Sequence, residues 1–124
     1  MKLDKRLPDA EFEIMRVVWE NEPPISTNQI ISHLGKDNTW KPQTVLTLLV
    51  RLIKKGFLQS EKAGKERFYS PLISRDEYLS VETGSFFDRF RGSSIRSLVS
   101  TLYDGDKLTE EEIADLRNWL ADRT

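Results

Sequence analysis

The side chains best suited to chemistry lie between Trp40 and Leu72, and they are basic and hydrogen-bonding groups. Positions 41 to 67 carry seven lysines and arginines against two glutamates, although the whole 124-residue chain has a formal net charge of −1. A basic stripe on a near-neutral protein favours contact with the phosphates of a nucleic acid. The alternative interpretation is an ordinary solvated surface, which is where most such side chains lie.

The other reactive residue types form no catalytic or metal-binding pattern. His33 is the single histidine, the chain has no cysteine, and a run of three glutamates starts at Glu110. Acidic groups at the start of a helix interact favourably with its dipole, which explains that run without a metal. No glycine-rich phosphate loop or nucleophile motif is present. The sequence therefore predicts a protein that is not an enzyme and needs neither a cofactor nor a metal.

The basic stretch has the pattern of a helix followed by a hairpin. Pro42 suits the first turn of a helix and Gly56 its end, and a hairpin over residues 57–72 would turn at Lys62 to Lys65. A helix fits the major groove of a duplex, and a thin basic loop reaches the adjacent backbone or minor groove. We therefore expect a winged helix-turn-helix head, mainly α with a small β-hairpin.

A helical wheel separates the two faces of this helix. Its core face would hold Val45, Leu48, Leu49, Leu52 and Ile53. The outward and flanking positions, mostly near the N-terminal end that usually meets base edges, predict the base-reading residues Gln43, Thr44, Leu46, Thr47 and Arg51. Predicted phosphate contacts are polar or basic residues on this helix, the wing and the preceding helix: Thr27, Asn28, Lys54, Lys55, Lys65 and Arg67.

The rest of the head would consist of two further helices. One is expected from about Asp9, as its N-cap, to Asn21, and the other from a cap at Ser26 to a stop at Gly35. Ile25 between them is predicted to form a short strand stub. The whole head domain would cover residues 1–73. These elements would support the basic helix and the wing.

From residue 74 the composition changes, and residues 74–124 predict three helices at about 74–91, 94–104 and 109–122. Helices this short cannot bury their apolar side chains among themselves, so two copies are expected to pack together. The predicted dimer interface consists of the apolar residues Phe87, Phe90, Ile95, Leu98, Val99, Leu102, Ile113, Leu116, Trp119 and Leu120. The alternative is that these helices complete one core with the head.

Cysteine usage and hydropathy bear on the compartment. Absence of cysteine fits a reducing interior, the N-terminus has no apolar signal segment, and no apolar run reaches membrane-spanning length. The expected location is the cytoplasm, without membrane insertion.

The chain resembles the BlaI/MecI/CopY family of penicillinase-type repressors over almost its whole length. The matching motif starts at Trp40 and has the form Trp-x-Pro-x-Thr-Val-x-Thr-Leu-x-x-Arg-Leu-x-x-Lys-Gly, and further matches lie at residues 9–19, 68–69, 97–99 and 108–113. The resemblance implies a homodimeric repressor that binds double-stranded DNA at an inverted-repeat operator, often with TACA-type half-sites. It gives Thr44, Thr47 and Arg51 the recognition role.

In the antibiotic-responsive branch of this family, a sensor-linked protease cleaves the repressor in its tail. The corresponding position here is Thr101–Leu102, where the familiar pair is Asn–Phe, and Gln43 and Leu46 also depart from common family residues. The cysteine pairs of the copper branch are absent. Two other functions stay open from sequence: a winged-helix adaptor that binds protein, and a DNA-binding regulator released by a small ligand.

Overall fold

The computed structural model describes residues 6–34, 40–92 and 94–124. Within these ranges no helix is both long enough and apolar enough to cross a membrane. The described elements, in chain order, are α1 (Asp9–Trp19), β1 (Ile25–Ser26), α2 (Thr27–His33), α3 (Pro42–Lys54), β2 (Leu58–Ala63), β3 (Glu66–Pro71), α4 (Arg75–Arg89), α5 (Ile95–Asp104) and α6 (Glu110–Arg123). The prediction of a mainly helical chain with one small hairpin is confirmed.

The sheet has three antiparallel strands in the order β1-β3-β2. β2 and β3 form the predicted hairpin, in which Leu58 pairs with Pro71 and Ala63 with Glu66. The predicted stub at Ile25 is confirmed as a two-residue strand, and Ile25 pairs with Tyr69. The sheet therefore ties the wing to the start of α2.

Helix boundaries follow the expected local chemistry, with one correction. Asp9 was predicted to cap α1, but α1 begins at Asp9 and its N-cap is Pro8, so the carboxylate lies in the first turn. That position still suits an acidic group because the helix dipole is positive there. Ser26 caps α2 in a capping box with Gln29, as expected for the cap. The predicted stop at Gly35 lies outside the described residues.

The chain divides into two compact units, residues 1–87 and residues 88–124. The core of the first unit is built from apolar side chains of α1, α2, α3, the sheet and the start of α4; its largest fully buried members include Ile14, Met15, Ile30, Leu49, Leu52, Leu58 and Tyr78. We expected the head to end at residue 73. The compact unit extends further because Tyr78 and Val81, both on α4, are buried in its core.

Tyr78 is the centre of an aromatic cluster. Its ring lies 5.9 Å from that of Phe12, 5.7 Å from that of Trp19 and 5.7 Å from that of Phe57, measured between ring centroids. Ring pairs at such distances add to the stabilisation that burial of their surface provides. The first half of α4 is therefore an integral part of the first unit.

The second unit contains α5 and α6. Ser94 caps α5, and Thr109 and Glu112 form a capping box at the start of α6. None of the described residues between 88 and 124 is buried. Within this unit the helices thus form no hydrophobic core of their own.

Candidate nucleic-acid interface

The side chains of α3 divide as the helical wheel predicts. Val45, Leu48, Leu49 and Leu52 are buried and Ile53 is half-buried, which fixes this side of the helix against the core. All five predicted base-reading residues are exposed: Gln43, Thr44, Leu46, Thr47 and Arg51. The outward face thus carries an amide, two hydroxyls, a guanidinium and apolar groups in about two turns of helix.

Two features of this face limit what it can contact. The Thr47 hydroxyl donates to the Gln43 carbonyl oxygen at 3.0 Å, so in this state its free lone pairs accept and its methyl group remains available. Leu46 and Val50 are 40% and 50% exposed, which is unusual for large apolar side chains on a charged surface. Thymine methyl groups in a major groove are apolar partners of suitable size.

The end of α3 is fixed by its backbone. Gly56 has a φ of 83°, its N–H donates to the Ile53 carbonyl, and the Phe57 N–H donates to the Leu52 carbonyl. This pair of bonds is the Schellman arrangement, which ends a helix at a residue of positive φ. It turns the chain at once from α3 into β2, so the helix and the wing are adjacent without a linker.

One ion pair connects α3 to α1, and sequence reasoning missed it. Lys55 Nζ lies 2.5 Å from Glu11 Oε1, and the Glu11 side chain is buried. A buried carboxylate is costly unless it is paired, so this contact stabilises Glu11, while the Lys55 side chain is 42% exposed and has further N–H donors. The signal was present: Glu11 lies in the i, i+3, i+4, i+7 row with Ile14, Met15 and Val18, where an apolar residue is the norm.

The wing is an exposed two-stranded ribbon with basic side chains at and beside its tip. Lys62 pairs with Arg67 across the strands, and Gly64 in the turn has a φ of 67°, a backbone conformation that glycine adopts easily. Arg67 donates to the Ser60 hydroxyl at 2.9 Å, which holds its guanidinium against the ribbon. Lys62 and Arg67 are exposed, as a phosphate contact requires.

The other predicted phosphate contacts differ in exposure and in whether their side chains already have a partner. Lys54 and Lys65 are exposed, and their side chains have neither a hydrogen bond nor an ion pair with any residue that the structure describes. Asn28 is exposed, whereas Thr27 is half-buried, with 3.4 Å between its hydroxyl oxygen and that of Tyr69. Lys54 and Lys65 are therefore the cations with the least competition from the protein itself.

The predicted tail residues are exposed or half-buried. Those with 38% or more of their surface exposed are Phe87, Phe90, Ile95, Leu116, Trp119 and Leu120, while Leu98, Val99, Leu102 and Ile113 are half-buried. Phe87 belongs to the first unit and the others to the second. Thr101 is exposed, and the Thr101–Leu102 bond lies inside α5.

Other chemistry receives little support from the described residues. In residues 6–34, 40–92 and 94–124, no group of three or more histidines, aspartates or glutamates could hold a metal ion. His33, the residue considered as a base or ligand, is exposed, and its Nδ1 lies 2.7 Å from the Gln29 carbonyl oxygen. The site with the richest set of converging polar groups is thus the exposed face of α3 with the wing.

Comparison with known proteins gives matches along nearly the whole chain. Residues 7–122 match the family model of the penicillinase repressor. The chain is 40% identical over 116 residues to the penicillinase repressor of Bacillus licheniformis, covering 94% of this chain and 90% of that one. It is 31% identical over 114 residues to the methicillin resistance regulatory protein MecI of Staphylococcus aureus (strain N315), covering 92% of each.

A solved structure matches about two thirds of the chain. It is the solution structure of monomeric Bacillus licheniformis BlaI in complex with the blaP half-operator, with 44% sequence identity and a TM-score of 0.51. The match covers 63% of this chain and 94% of that one. The predicted family resemblance is confirmed by these comparisons: the chain belongs to the penicillinase repressor family.

Proposed function

We propose that this protein is a homodimeric transcriptional repressor that binds an inverted-repeat operator in double-stranded DNA. One observation carries the proposal: the exposed face of α3 and the basic ribbon of β2 and β3 follow each other directly on one rigid core. That is the arrangement a duplex needs, with a helix for the major groove and a loop for the backbone or minor groove. A 44% identical relative has been solved with a half-operator, which supports the same use of the head here.

In this proposal the N-terminal half of the outward face reads the bases. Gln43 can bond adenine in two places, Thr44 and Thr47 can bond a base edge or pack on a thymine methyl, and Arg51 suits guanine. Leu46 would contribute apolar contact with thymine. Exposure of all five side chains is what supports these roles.

Phosphate contacts come from cations that are not already paired. The side chains of Lys54 at the end of α3 and Lys65 at the tip of the wing have no partner in the described part of the chain, and Arg67 is held on the ribbon by its bond to Ser60. Asn28 and Thr27, at the start of α2, are the weaker candidates of this set. Lys55 contributes indirectly, because its bond to Glu11 holds α3 on α1.

Dimerisation belongs to the second unit in this proposal. Its apolar side chains have no core within the unit, and six large ones among the described residues of this unit are at least 38% exposed: Phe90, Ile95, Tyr103, Leu116, Trp119 and Leu120. Exposed apolar surface of this kind usually marks an association site, and a second copy would bury it. Joining two heads raises the effective concentration of the second head at its half-site, by about 10²–10⁴ in avidity.

Release of the operator would follow cleavage at Thr101–Leu102 by a sensor-linked protease. Cutting inside α5 would separate α6, with Trp119 and Leu120, from the first unit. The bond lies within a helix, so a protease would have to unwind this turn before it could bind an extended substrate. Exposure of Thr101 and the absence of buried side chains in this unit make such unwinding inexpensive.

The decisive experiment is a fluorescence-anisotropy titration of the full chain against a TACA-type inverted repeat and a scrambled duplex, at about 50 mM and about 200 mM salt. We expect tight binding to the repeat alone, weakening steeply with salt. Equal binding to both duplexes would contradict operator recognition. No salt-dependent binding to any duplex, including a randomised pool, would favour the protein-binding adaptor instead.

A further inference from the structure

A cavity of about 190 Å³ opens in the first unit beside α1 and the start of α4. Aromatic rings form much of its lining: Phe12 and Trp19 from α1, and Tyr78 from α4. The Phe12 and Trp19 ring centroids are 6.2 Å apart, and those of Trp19 and Tyr78 are 5.7 Å apart in a stacked arrangement. Leu79, 55% exposed, adds an aliphatic wall at the mouth.

The polar atoms of these aromatic residues are already used inside the protein. Trp19 Nε1–H donates to the Ile73 carbonyl at 2.9 Å. The Tyr78 hydroxyl accepts from the Leu7 N–H at 2.6 Å and donates to Glu82 Oε2 at 2.7 Å. The aromatic lining therefore offers an occupant ring surface and no free hydrogen-bonding group.

The charged residues around the cavity differ in their partners. Arg16 donates to Glu13 at 2.8 Å and to Glu20 at 3.1 Å, and Glu82 accepts from Arg6 at 2.8 Å. Arg75 is exposed, and its guanidinium has no hydrogen bond or ion pair with any residue in the described ranges. The cavity thus combines an apolar, aromatic lining with one uncommitted cation.

We propose that this cavity is a binding site for a small aromatic anion, a single ring bearing one carboxylate. The ring would lie on the half-buried rings of Phe12 and Trp19, and the carboxylate would accept hydrogen bonds from the Arg75 guanidinium, whose planar donors match a carboxylate. The size agrees, because an apolar cavity of about 150 Å³ is enough to hold benzene. Nothing in the DNA-binding role requires this site.

Occupation of the cavity has a structural consequence within the first unit. Trp19 belongs to α1, and Arg75, Tyr78 and Leu79 belong to the first turns of α4. A ligand that contacts both helices stabilises the state in which they are packed together, in proportion to its occupancy. The site would therefore strengthen the attachment of α4 to the head.

The test is an NMR titration of the ¹⁵N-labelled full chain with three ligands of equal shape: benzoate, benzamide and benzamidine, which are anionic, neutral and cationic. The chain has three tryptophans, and only Trp19 lines the cavity. We expect the Trp19 indole N–H resonance to shift while those of Trp40 and Trp119 stay in place. Benzoate should bind about tenfold more tightly than the other two ligands, as a charge-assisted bond allows.

Two variants and a matched control test which side chains of the cavity contribute to benzoate binding. Arg75→Gln should weaken benzoate binding by about tenfold and leave benzamide unchanged. Leu79→Glu, at an exposed position, places a negative charge at the mouth and should reduce benzoate binding without affecting the fold. Arg96→Gln, the control, removes an exposed arginine of the second unit and should leave the affinities for benzoate and benzamide unchanged.

Several outcomes would overturn the proposal. They are equal affinity for all three ligands, unchanged benzoate binding in Arg75→Gln, or shifts confined to residues away from the cavity. A Trp19 shift that follows protein concentration and ignores added ligand would identify a second copy of the chain as the occupant. Because operator binding is measured separately, failure here leaves the repressor proposal intact.

Discussion

At the scale of single residues, affinity and specificity are assigned to different side chains. Cations such as Lys54 and Lys65 would meet phosphates, which are the same in every sequence, so they raise affinity without discrimination. Thr47 and Arg51 are exposed on α3 and would meet base edges. Loss of such a contact lowers the affinity only for the operator sequence. The two groups can therefore be separated by comparing a specific with a non-specific duplex.

Replacement of a base-reading residue should lower operator affinity selectively. Thr47→Ala and Arg51→Ala are each expected to cost about 1–3 kcal/mol on the inverted repeat, with little change on a scrambled duplex. Anisotropy titrations at one fixed salt concentration measure both affinities.

Ser80→Ala is the matched control for Thr47→Ala, because Ser80 is also an exposed helical hydroxyl that donates to a carbonyl in the preceding turn. Its operator affinity should equal that of the parent protein. Lys65→Ala, unlike the base-reading variants, should weaken binding to both duplexes. Unchanged operator binding in both Thr47→Ala and Arg51→Ala would remove α3 from the recognition role.

The Lys55–Glu11 pair should respond asymmetrically to removal of either partner. Lys55→Met leaves a buried, unpaired carboxylate and is expected to cost about 1–3 kcal/mol of unfolding free energy. Glu11→Gln leaves a lysine that can turn to solvent, so its cost should be smaller. Urea denaturation midpoints measure both, with Lys62→Met as a control for loss of an exposed cation. A larger cost for Glu11→Gln would contradict the assigned burial.

Single residues also show which features of the candidate site were predictable from the sequence. Exposure of Gln43, Thr44, Leu46, Thr47 and Arg51 was predictable because it depends only on helical periodicity and on which apolar residues seek the core. The partner of Lys55 was not, because Glu11 is 44 positions away and a pairing at that range depends on how α1 and α3 pack. Local sequence patterns predict which face of a helix is exposed. Tertiary packing determines which charged side chains find a partner.

At the scale of elements, α4 is the helix whose first half packs into the core of the first unit. A composition change at residue 74 predicted the start of a separate domain, yet the compact unit extends to Phe87. The side chains responsible are Tyr78 and Val81, which are single apolar positions in an otherwise polar helix. Element boundaries and types were predictable from caps and breakers, whereas the core to which an element contributes was not.

Tyr78 gives this helix a measurable pH signature. Burial raises the pKa of Tyr78 to about 12. The folded protein holds the phenolic proton more tightly than the unfolded chain does, so deprotonation favours unfolding. The contribution is fully present below about pH 10 and is lost as the pH rises through about 12.

Urea denaturation of the parent protein and of Tyr78→Phe at pH values between 8 and about 12 tests this expectation. The variant should be less stable at pH 8, because the Leu7 N–H and Glu82 lose their hydroxyl partner. The difference between the two proteins should shrink as the pH approaches 12. Parallel stability curves over the whole range would show that Tyr78 does not titrate differently in the folded state.

At the scale of the whole molecule, charge and apolar surface are distributed unevenly. The basic side chains of α3 and the wing belong to the first unit, while the second unit exposes large apolar residues and contains no buried residue among those described. One unit is therefore suited to a polyanion and the other to a second copy of itself. A dimer would link two weak DNA-binding heads into one tight binder.

Truncation separates these contributions, and the position of the cut matters. A fragment of residues 1–87 keeps Tyr78 and Val81 in the core, so it should fold, remain monomeric and bind a single half-site weakly. A fragment of residues 1–73 lacks both side chains, and Phe12, Trp19 and Phe57 lose their ring contacts with Tyr78. Loss of a buried aromatic side chain costs about 3–5 kcal/mol, so the shorter fragment should be largely unfolded or much less stable.

Sedimentation velocity gives the oligomeric state of each chain, and urea denaturation gives its stability. The full chain should sediment as a dimer and bind the inverted repeat about 10²–10⁴-fold more tightly than the 1–87 fragment does. A dimeric 1–87 fragment would move the interface into the head. A monomeric full chain would exclude the homodimer, and the exposed apolar residues of the second unit would then require a different partner.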